Sequence, residues 1–93
     1  MTVVVVIPAY NEAATIAAIV HRARRHVEQV LVVDDGSQDE TARAAETAGA
    51  VVLRQAVNQG KGLSLWHGRQ TGLERGAAAV VTLDADGQHR PED

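Results

Sequence analysis

Residues 3–33 read VVVVIPAYNEAATIAAIVHRARRHVEQVLVV, in which two short apolar runs flank a longer stretch of mixed polarity. The runs at residues 3–7 and 30–33 are β-branched and continuous, as is typical of strands buried on both faces of a sheet. Residues 13–26 have helical spacing, and their apolar stripe consists of Ile16, Ile19, Val20 and Ala23. This order of strand, helix and strand predicts a right-handed βαβ unit.

The same alternation continues along the chain. Apolar runs at residues 51–53 and 79–83 predict a third and a fourth strand. A second helix is expected to end at Gly49, a typical C-terminal glycine, and a third is expected over residues 62–74. Four strands alternating with three helices predict an α/β protein, with a parallel sheet between two layers of helices.

The composition favours close contact between helices and sheet. The 93 residues are 45% hydrophobic but include one Trp, one Tyr and no Phe, so small side chains dominate the core. Gly68 and Gly72 lie four residues apart in the predicted third helix, and we expect them to bring that helix close to the strands.

Charge and composition also exclude several classes of function. The net charge is −3 and the basic residues form no long run, which disfavours a nucleic acid partner. The absence of cysteine excludes disulfides, thiolate zinc sites and thiol nucleophiles. No segment approaches the ~18 apolar residues of a membrane span, and residues 3–7 are too short for a signal peptide. We therefore expect a cytoplasmic protein.

A polar cluster follows each predicted strand. The four clusters are at residues 8–12, 34–37, 58–62 and 84–87. The carboxyl ends of parallel strands meet at one edge of the sheet, where open α/β sheets bind their ligands. The coincidence of all four clusters predicts a crevice for a nucleotide or phosphate.

The last cluster contains a candidate metal site. Asp84 and Asp86 follow a strand directly and flank Ala85, and Gly87 allows the backbone to turn. Carboxylate oxygens suit a hard cation such as Mg²⁺ or Mn²⁺, which takes the rest of its ligands from phosphate and water. The alternative is an ordinary acidic turn between a strand and a helix.

Taken together, the motifs IPAYNE, VVDDGSQDET, NQGKG and TLDADGQHRPED resemble the donor-binding half of family 2 glycosyltransferases with the GT-A fold. The similarity is to the branch that contains dolichol-phosphate mannose synthase and the polyprenyl-phosphate sugar transferases, and it covers essentially the whole chain. It implies a strand order of 3-2-1-4 and a UDP- or GDP-sugar donor. It also implies transfer with inversion to a polyprenyl phosphate or glycan acceptor.

The resemblance also implies roles for individual residues. Those that would bind the nucleotide sugar are Pro8, Ala9, Tyr10, Glu12, Asp35, Lys61, Asp84, Ala85 and Asp86. Asp35 would hold the base or ribose, and Lys61 would approach the diphosphate. Asp86 would be the firmer ligand of the Mg²⁺ or Mn²⁺ ion, with Asp84 shared between the metal and the ribose or sugar hydroxyls.

Structural explanations compete with some of these roles. Pro8 could end the first strand, because proline cannot donate to a ladder. Ser37 and Asp39 are interpreted as N-caps of the second helix. Asp34 is expected to brace its loop, because adjacent side chains at a strand end point in opposite directions.

The resemblance further implies that residues 1–93 are one part of a longer domain, truncated at its C-terminus. We place no catalytic residue in this part and expect the general base beyond Asp93, so the chain alone should be inactive. The full-length enzyme would associate with a membrane. The fourth strand would be an open edge, which predicts self-association or marginal stability.

Two alternatives remain. The chain could be a nucleoside-diphosphate-binding module without catalytic activity. It could also be a phosphohydrolase of the haloacid dehalogenase kind, but in those enzymes the D-x-D-G motif follows the first strand and precedes Thr. Here the motif follows the fourth strand and precedes Gln88, which disfavours that class.

Overall fold

The computed structural model describes residues 2–83, which form a parallel sheet with helices on both faces. The elements are β1 (Val3–Ala9), α1 (Ile16–Arg24), β2 (Gln29–Asp35), α2 (Thr41–Ala48), β3 (Val51–Gln55), α3 (Lys61–Glu74) and β4 (Ala79–Thr82). The strand order is β3-β2-β1-β4, and every neighbouring pair is parallel. The predicted three-layer α/β/α architecture and the predicted strand order are confirmed.

Alternation along the two central strands divides the core into two clusters. Val5 and Ile7 of β1 pack with Val30 and Val32 of β2 beneath α1 and α2. The residues between them face the other side of the sheet, where Val6 and its neighbours pack under α3. Because β1 and β2 are covered on both faces, their sequences read as unbroken apolar runs.

The first strand continues through Pro8 to Ala9, so the structural alternative in which Pro8 ends the strand is wrong. Pro8 stands opposite Val33 in the register with β2. Backbone groups of a parallel strand point alternately to its two neighbours, and the carbonyl of Val6 accepts from Leu83 beyond the end of β4. Pro8 lies two residues after Val6, so its backbone groups face β4 in the same way. The N–H that proline lacks would have pointed toward β4, and the β1–β2 ladder loses no hydrogen bond.

The first two helices begin or end at boundaries that can be compared with the predicted ones. Helix α1 begins at Ile16 instead of residue 13, because the carbonyl of Glu12 accepts from the N–H groups of Thr15 and Ile16 in a preceding turn. Helix α2 begins at Thr41 with Glu40 at its N-cap position. It ends at Gly49, as predicted, where φ is 105° and a side chain would be strained.

The loop after β1 is attached to the loop after β2 by three successive backbone amides. The N–H of Asn11 donates to Ser37 Oγ (2.8 Å), that of Glu12 to Thr41 Oγ1 (2.8 Å), and that of Ala13 to Asp39 Oδ2 (3.2 Å). The cap interpretation is therefore wrong for Ser37, whose hydroxyl bonds to the neighbouring loop. It is confirmed for Asp39, whose Oδ1 accepts from the N–H of Thr41 at the start of α2 (3.0 Å) while its Oδ2 bonds to that loop.

Helix α3 lies against the sheet through Gly68, as the sequence predicted. A Cβ added at Gly68 would collide with Cγ1 of Val6 and lie 2.9 Å from Cγ2 of Val33. A Cβ at Gly72 would make an ordinary contact of 3.4 Å with Val80, and one at Gly62 would meet no atom within 4 Å. Gly68 is thus the closest of these three approaches.

We expect Gly68→Ala to destabilise the fold although alanine favours helices. Overpacking costs about 1–3 kcal/mol and the gain in helix propensity returns about 1 kcal/mol, so a net loss of up to about 2 kcal/mol is predicted. Urea denaturation followed by circular dichroism measures it. Gly62→Ala is the matched control and should be neutral or slightly stabilising. Equal effects of the two substitutions would contradict the close-packing explanation.

Asp39 should make the stability pH-dependent. The hydroxyl of Thr41 is the main cause that holds the pKa of Asp39 below its ordinary 3.8, aided by the N–H groups of Ala13 and Thr41, while desolvation acts in the opposite direction. A carboxylate whose pKa is lower in the folded state stabilises above its unfolded pKa, and this contribution is lost as the pH falls through the folded pKa.

Asp39→Asn should therefore lower the melting temperature at pH 7, and the difference from the wild type should shrink as the pH falls below 3.8. Thermal melts between pH 7 and pH 3 provide the measurement. Glu46→Gln on the exposed face of α2 removes the same charge and should leave the melting curves nearly unchanged. A deficit at Asp39→Asn that stayed constant with pH would refute the assigned ionic role.

Candidate functional site

A cavity of about 180 Å³ opens at the carboxyl edge of the sheet. Its lining residues are Pro8, Ala9, Tyr10, Glu12, Asp35, Asn58, Gly60, Lys61 and Ser64. The structure therefore brings together all six of the predicted nucleotide-sugar-binding residues that fall within residues 2–83. Their proposed roles toward a ligand remain predictions.

Four chain segments build this cavity. Pro8 and Ala9 are the last residues of β1, and Tyr10 lies in the loop that follows, with 44% of its surface exposed. Asp35 ends β2, and the remaining lining comes from the β3–α3 loop and the first turn of α3, where Lys61 is the first helical residue. The lining thus combines an aromatic ring with a cation at a helix N-terminus.

Asp35 is the buried polar centre of the cavity wall, with 4% of its surface exposed. Its Oδ1 accepts from Gln55 Nε2 (2.7 Å) and from the N–H of Gln59 (2.6 Å), and its Oδ2 accepts from the N–H of Gly60 (2.9 Å). Its backbone carbonyl accepts from Asn58 Nδ2 (3.3 Å). A buried carboxylate needs such donors, and here they fix the loop that precedes α3.

Asp34 differs from its neighbour Asp35 in its contacts, as expected because adjacent side chains of a strand point to opposite faces of the sheet. Its Oδ1 accepts from the N–H of Ser37 (3.0 Å), which closes the turn after β2. Its Oδ2 lies 3.9 Å from Nε of Arg54, a weak ion pair because Arg54 is largely exposed. Asp34 does not line the cavity.

Gly36 allows the loops after β2 and β3 to approach each other. Its φ is 76°, and a Cβ at this position would lie 2.6 Å from the backbone nitrogen of Asn58. Any side chain here would be strained and would push the two loops apart.

The sequence reasoning missed a second layer of polar residues behind Asp35. Gln55 Nε2 also donates to Ser64 Oγ (3.0 Å), and Gln55 Oε1 contacts Nδ1 of His67. The available signal was the spacing of Ser64 and His67, which puts two polar residues on one face of α3. Nothing in the sequence paired them with Gln55.

A smaller cavity of about 140 Å³ adjoins the first and shares Pro8 and Lys61 with it. Its remaining lining residues are Leu65, Thr82 and Leu83. Leu83 immediately precedes the predicted metal ligands in sequence. Asp84, Ala85 and Asp86 themselves lie outside the described residues, as does Gly87.

Over residues 2–83, no group of three or more His, Cys, Asp and Glu side chains is placed to hold a metal ion. Because Asp84 and Asp86 lie outside that range, their metal-binding role stays a prediction. Within the same range, none of the helices combines the length and the apolar content that crossing a membrane would require.

Solved structures of nucleotide-sugar enzymes share this fold. Mannosyl-3-phosphoglycerate synthase from Rubrobacter xylanophilus superimposes with a TM-score of 0.80 and 30% identity, over 99% of this chain and 33% of that chain. Glucosyl-3-phosphoglycerate synthase from Mycobacterium tuberculosis, in complex with Mn²⁺, UDP and glucosyl-3-phosphoglycerate, gives a TM-score of 0.74 and 32% identity. That likeness covers 91% of this chain and 33% of the synthase. The GT-A arrangement predicted for the sheet is confirmed.

Sequence comparison points in the same direction. The undecaprenyl-phosphate mannosyltransferase of Micrococcus luteus is 41% identical over 99 residues, which cover 99% of this chain and 41% of that protein. The chain spans 37–41% of the length of the first curated relatives that it matches. The model of glycosyl transferase family 2 matches residues 4–93. The chain therefore belongs to glycosyl transferase family 2.

Proposed function

We propose that residues 1–93 are the nucleotide-sugar-binding part of a family 2 enzyme that transfers a sugar from UDP or GDP to a polyprenyl phosphate or glycan acceptor. The observation that carries this proposal is that six of the predicted residues line one and the same cavity: Pro8, Ala9, Tyr10, Glu12, Asp35 and Lys61. Family membership supports the class of reaction, and the structural neighbour that holds UDP supports the class of donor.

The cavity suits the base and ribose. Its volume of about 180 Å³ is below the roughly 300 Å³ at which pockets for whole drug-sized ligands begin, so it fits one part of a nucleotide sugar. Tyr10 is exposed enough to stack on a base. Asp35 and Glu12 supply carboxylate acceptors for base N–H or ribose hydroxyl groups.

The diphosphate would lie toward Lys61 and the start of α3. Lys61 contributes to both adjoining cavities, and a helix N-terminus of this kind favours anions. Asp86 and Asp84 would hold Mg²⁺ or Mn²⁺ beyond Leu83, and the neighbour crystallised with Mn²⁺ supports a divalent ion. When bound, the metal would offset the charge that develops on the departing nucleoside diphosphate.

The acceptor side belongs to the longer enzyme. The Micrococcus luteus relative is named for an undecaprenyl-phosphate acceptor, which supports a polyprenyl phosphate here and a site of action at a membrane, on its cytoplasmic side. We propose inversion at the anomeric carbon, with the general base beyond Asp93. A nucleoside-diphosphate-binding module without activity is the second candidate, because the chain spans only 37–41% of its first curated relatives.

Metal-dependent nucleotide binding tests the donor assignment. Calorimetric titration with UDP, GDP, UDP-glucose and GDP-mannose should show binding that strengthens with Mn²⁺. Asp86→Asn should weaken binding in the presence of Mn²⁺ by at least about tenfold, because a metal ligand is lost. Glu46→Gln, which removes the same charge from the exposed face of α2, should bind like the wild type.

Failure of all four ligands to bind would reject the donor-site proposal. A second assay separates its two versions: transfer of radiolabelled sugar to an added polyprenyl phosphate would show an active transferase. Binding without transfer would favour the inactive module.

The β4 edge is proposed to mediate self-association of this chain. By alternation, Val80 and Thr82 turn their N–H and C=O groups away from β1, toward an edge that no strand within residues 2–83 covers. Beside that edge, Val81 is 51% exposed and Leu83 is 41% exposed. An open apolar edge is a template for pairing with another chain.

Sedimentation velocity should therefore show concentration-dependent dimers or larger species. Val81→Lys should shift the distribution toward monomer, because a charge on an edge strand disfavours pairing. Leu73→Lys, at a similarly exposed apolar position on α3 (45%), is the control and should leave the distribution unchanged. A wild-type chain that remained monomeric at every concentration would contradict the proposal.

A further inference from the structure

Most of the hydrogen-bonding capacity of Asp35 is already used within the protein. A carboxylate has about four lone-pair positions. Two protein donors occupy Oδ1, at 2.6 and 2.7 Å, and one occupies Oδ2, at 2.9 Å. A ligand in the cavity can therefore find one acceptor position on this side chain, on Oδ2, and none on Oδ1.

The side-chain amide of Gln55 is held in one orientation, with Nε2 toward Asp35 Oδ1. Its Nε2 donates both to Asp35 Oδ1 (2.7 Å) and to Ser64 Oγ (3.0 Å), so both N–H groups have acceptors. Its Oε1 contacts His67 Nδ1, which donates when it carries the ring proton. Rotating the amide by 180° would place Oε1 against a carboxylate oxygen, which is repulsive. Ser64 and His67 thus keep Gln55 as a donor to Asp35.

The two candidate bases differ in what they require of a carboxylate. Uracil presents a single N–H between two carbonyl oxygens, so one acceptor position satisfies it. Guanine presents an N–H beside an amino group, and this adjacent pair of donors matches the two oxygens of one carboxylate. If protein donors already occupy one carboxylate oxygen, one of the two guanine donors has no acceptor on that carboxylate. A buried donor without an acceptor is costly.

Glu12 lines the same cavity but does not form a pair of adjacent acceptors with Asp35 Oδ2. It belongs to the loop after β1, and its Oε2 lies 3.4 Å from the hydroxyl of Thr15 at the start of α1. It is also more exposed than Asp35. Two adjacent donors on one base edge match the two oxygens of a single carboxylate, and Asp35, which is 4% exposed, is the more buried of the two carboxylates in this lining.

We propose that Gln55, held by Ser64 and His67, is a positioning residue that leaves Asp35 one acceptor for the base and thereby selects uracil nucleotides over guanine nucleotides. This inference rests on the proposed function, in which the cavity holds the nucleobase of the donor. It narrows the donor of this chain from a UDP- or GDP-sugar to a UDP-sugar.

Calorimetric titration of the 93-residue chain with UDP and with GDP, both in excess Mn²⁺, tests the proposal. The diphosphate and metal are common to both ligands, so the ratio of the two dissociation constants reports the base. The wild type should bind UDP at least about tenfold more tightly than GDP, as expected for one unpaired buried donor. Gln55→Met keeps the length of the side chain but removes the amide, and it should bring the ratio close to one.

Two further variants separate positioning from a purely structural role. His67→Phe leaves the ring shape but releases the Gln55 amide, and the ratio should fall to an intermediate value. Gln70→Met makes the same chemical change as Gln55→Met at an exposed position of α3 and should leave the ratio as in the wild type. A structural role would instead weaken UDP and GDP equally and leave the ratio unchanged, which would overturn the proposal.

The outcomes for the two proposals are distinct. If neither nucleotide binds the wild type, the donor-site assignment fails, and the base selection built on it fails as well. If both nucleotides bind and GDP is equal to or tighter than UDP, the donor site stands and the role of Gln55 is overturned. If Gln55→Met does not fold, His67→Phe decides the question by the same ratio.

Discussion

The site depends on side-chain acceptors that bind the backbone of its loops. Loops at the carboxyl edge of a parallel sheet carry N–H groups that no strand or helix pairs, and Asp35 and the residues that follow it accept from several of them. Asp35 accepts from Gln59 and Gly60 on one side of the sheet. On the other side, Ser37, Asp39 and Thr41 accept from residues 11–13. Unpaired backbone donors are costly, most of all where water is excluded, so these bonds fix the loop after β3 on Asp35 and the loop after β1 on the segment that follows β2.

This constraint explains why the cavity has defined walls. The loop after β1 carries Tyr10 and Glu12, and the loop after β3 leads to Lys61. The loop after β3 is bonded to Asp35, the last residue of β2, and the loop after β1 is bonded to the segment that follows β2. Strand β2 itself is a central strand of the sheet and is buried on both faces. A site whose loops are bonded to the rigid core needs less ordering when a ligand binds. The proposed nucleotide site is therefore organised before the nucleotide arrives.

The same bonds limit what the site can do. A carboxylate that orders a loop uses some of its lone-pair positions to accept from that loop. The positions that are left determine which hydrogen bonds a ligand can form with it. The two carboxylate oxygens of Asp35 must serve both the loop and the proposed ligand, and Gln55 is hydrogen-bonded to one of them. Selectivity among nucleotides would then depend on a residue outside the cavity lining, beyond the motifs that identify family 2 glycosyltransferases.

The sequence by itself determined the alternation of strands and helices, the buried strands and the residues of the strand-end clusters, because these depend on side-chain patterns over a few residues. With the family resemblance it also supplied the strand order. Only the tertiary structure decided that β1 runs through Pro8, that Ser37 and Asp39 hold the loop after β1, and that Gln55 links Asp35 to α3. These contacts join residues 9 to 29 positions apart. They depend on strand register and on how closely Gly68 lets α3 approach the sheet, which no local pattern encodes.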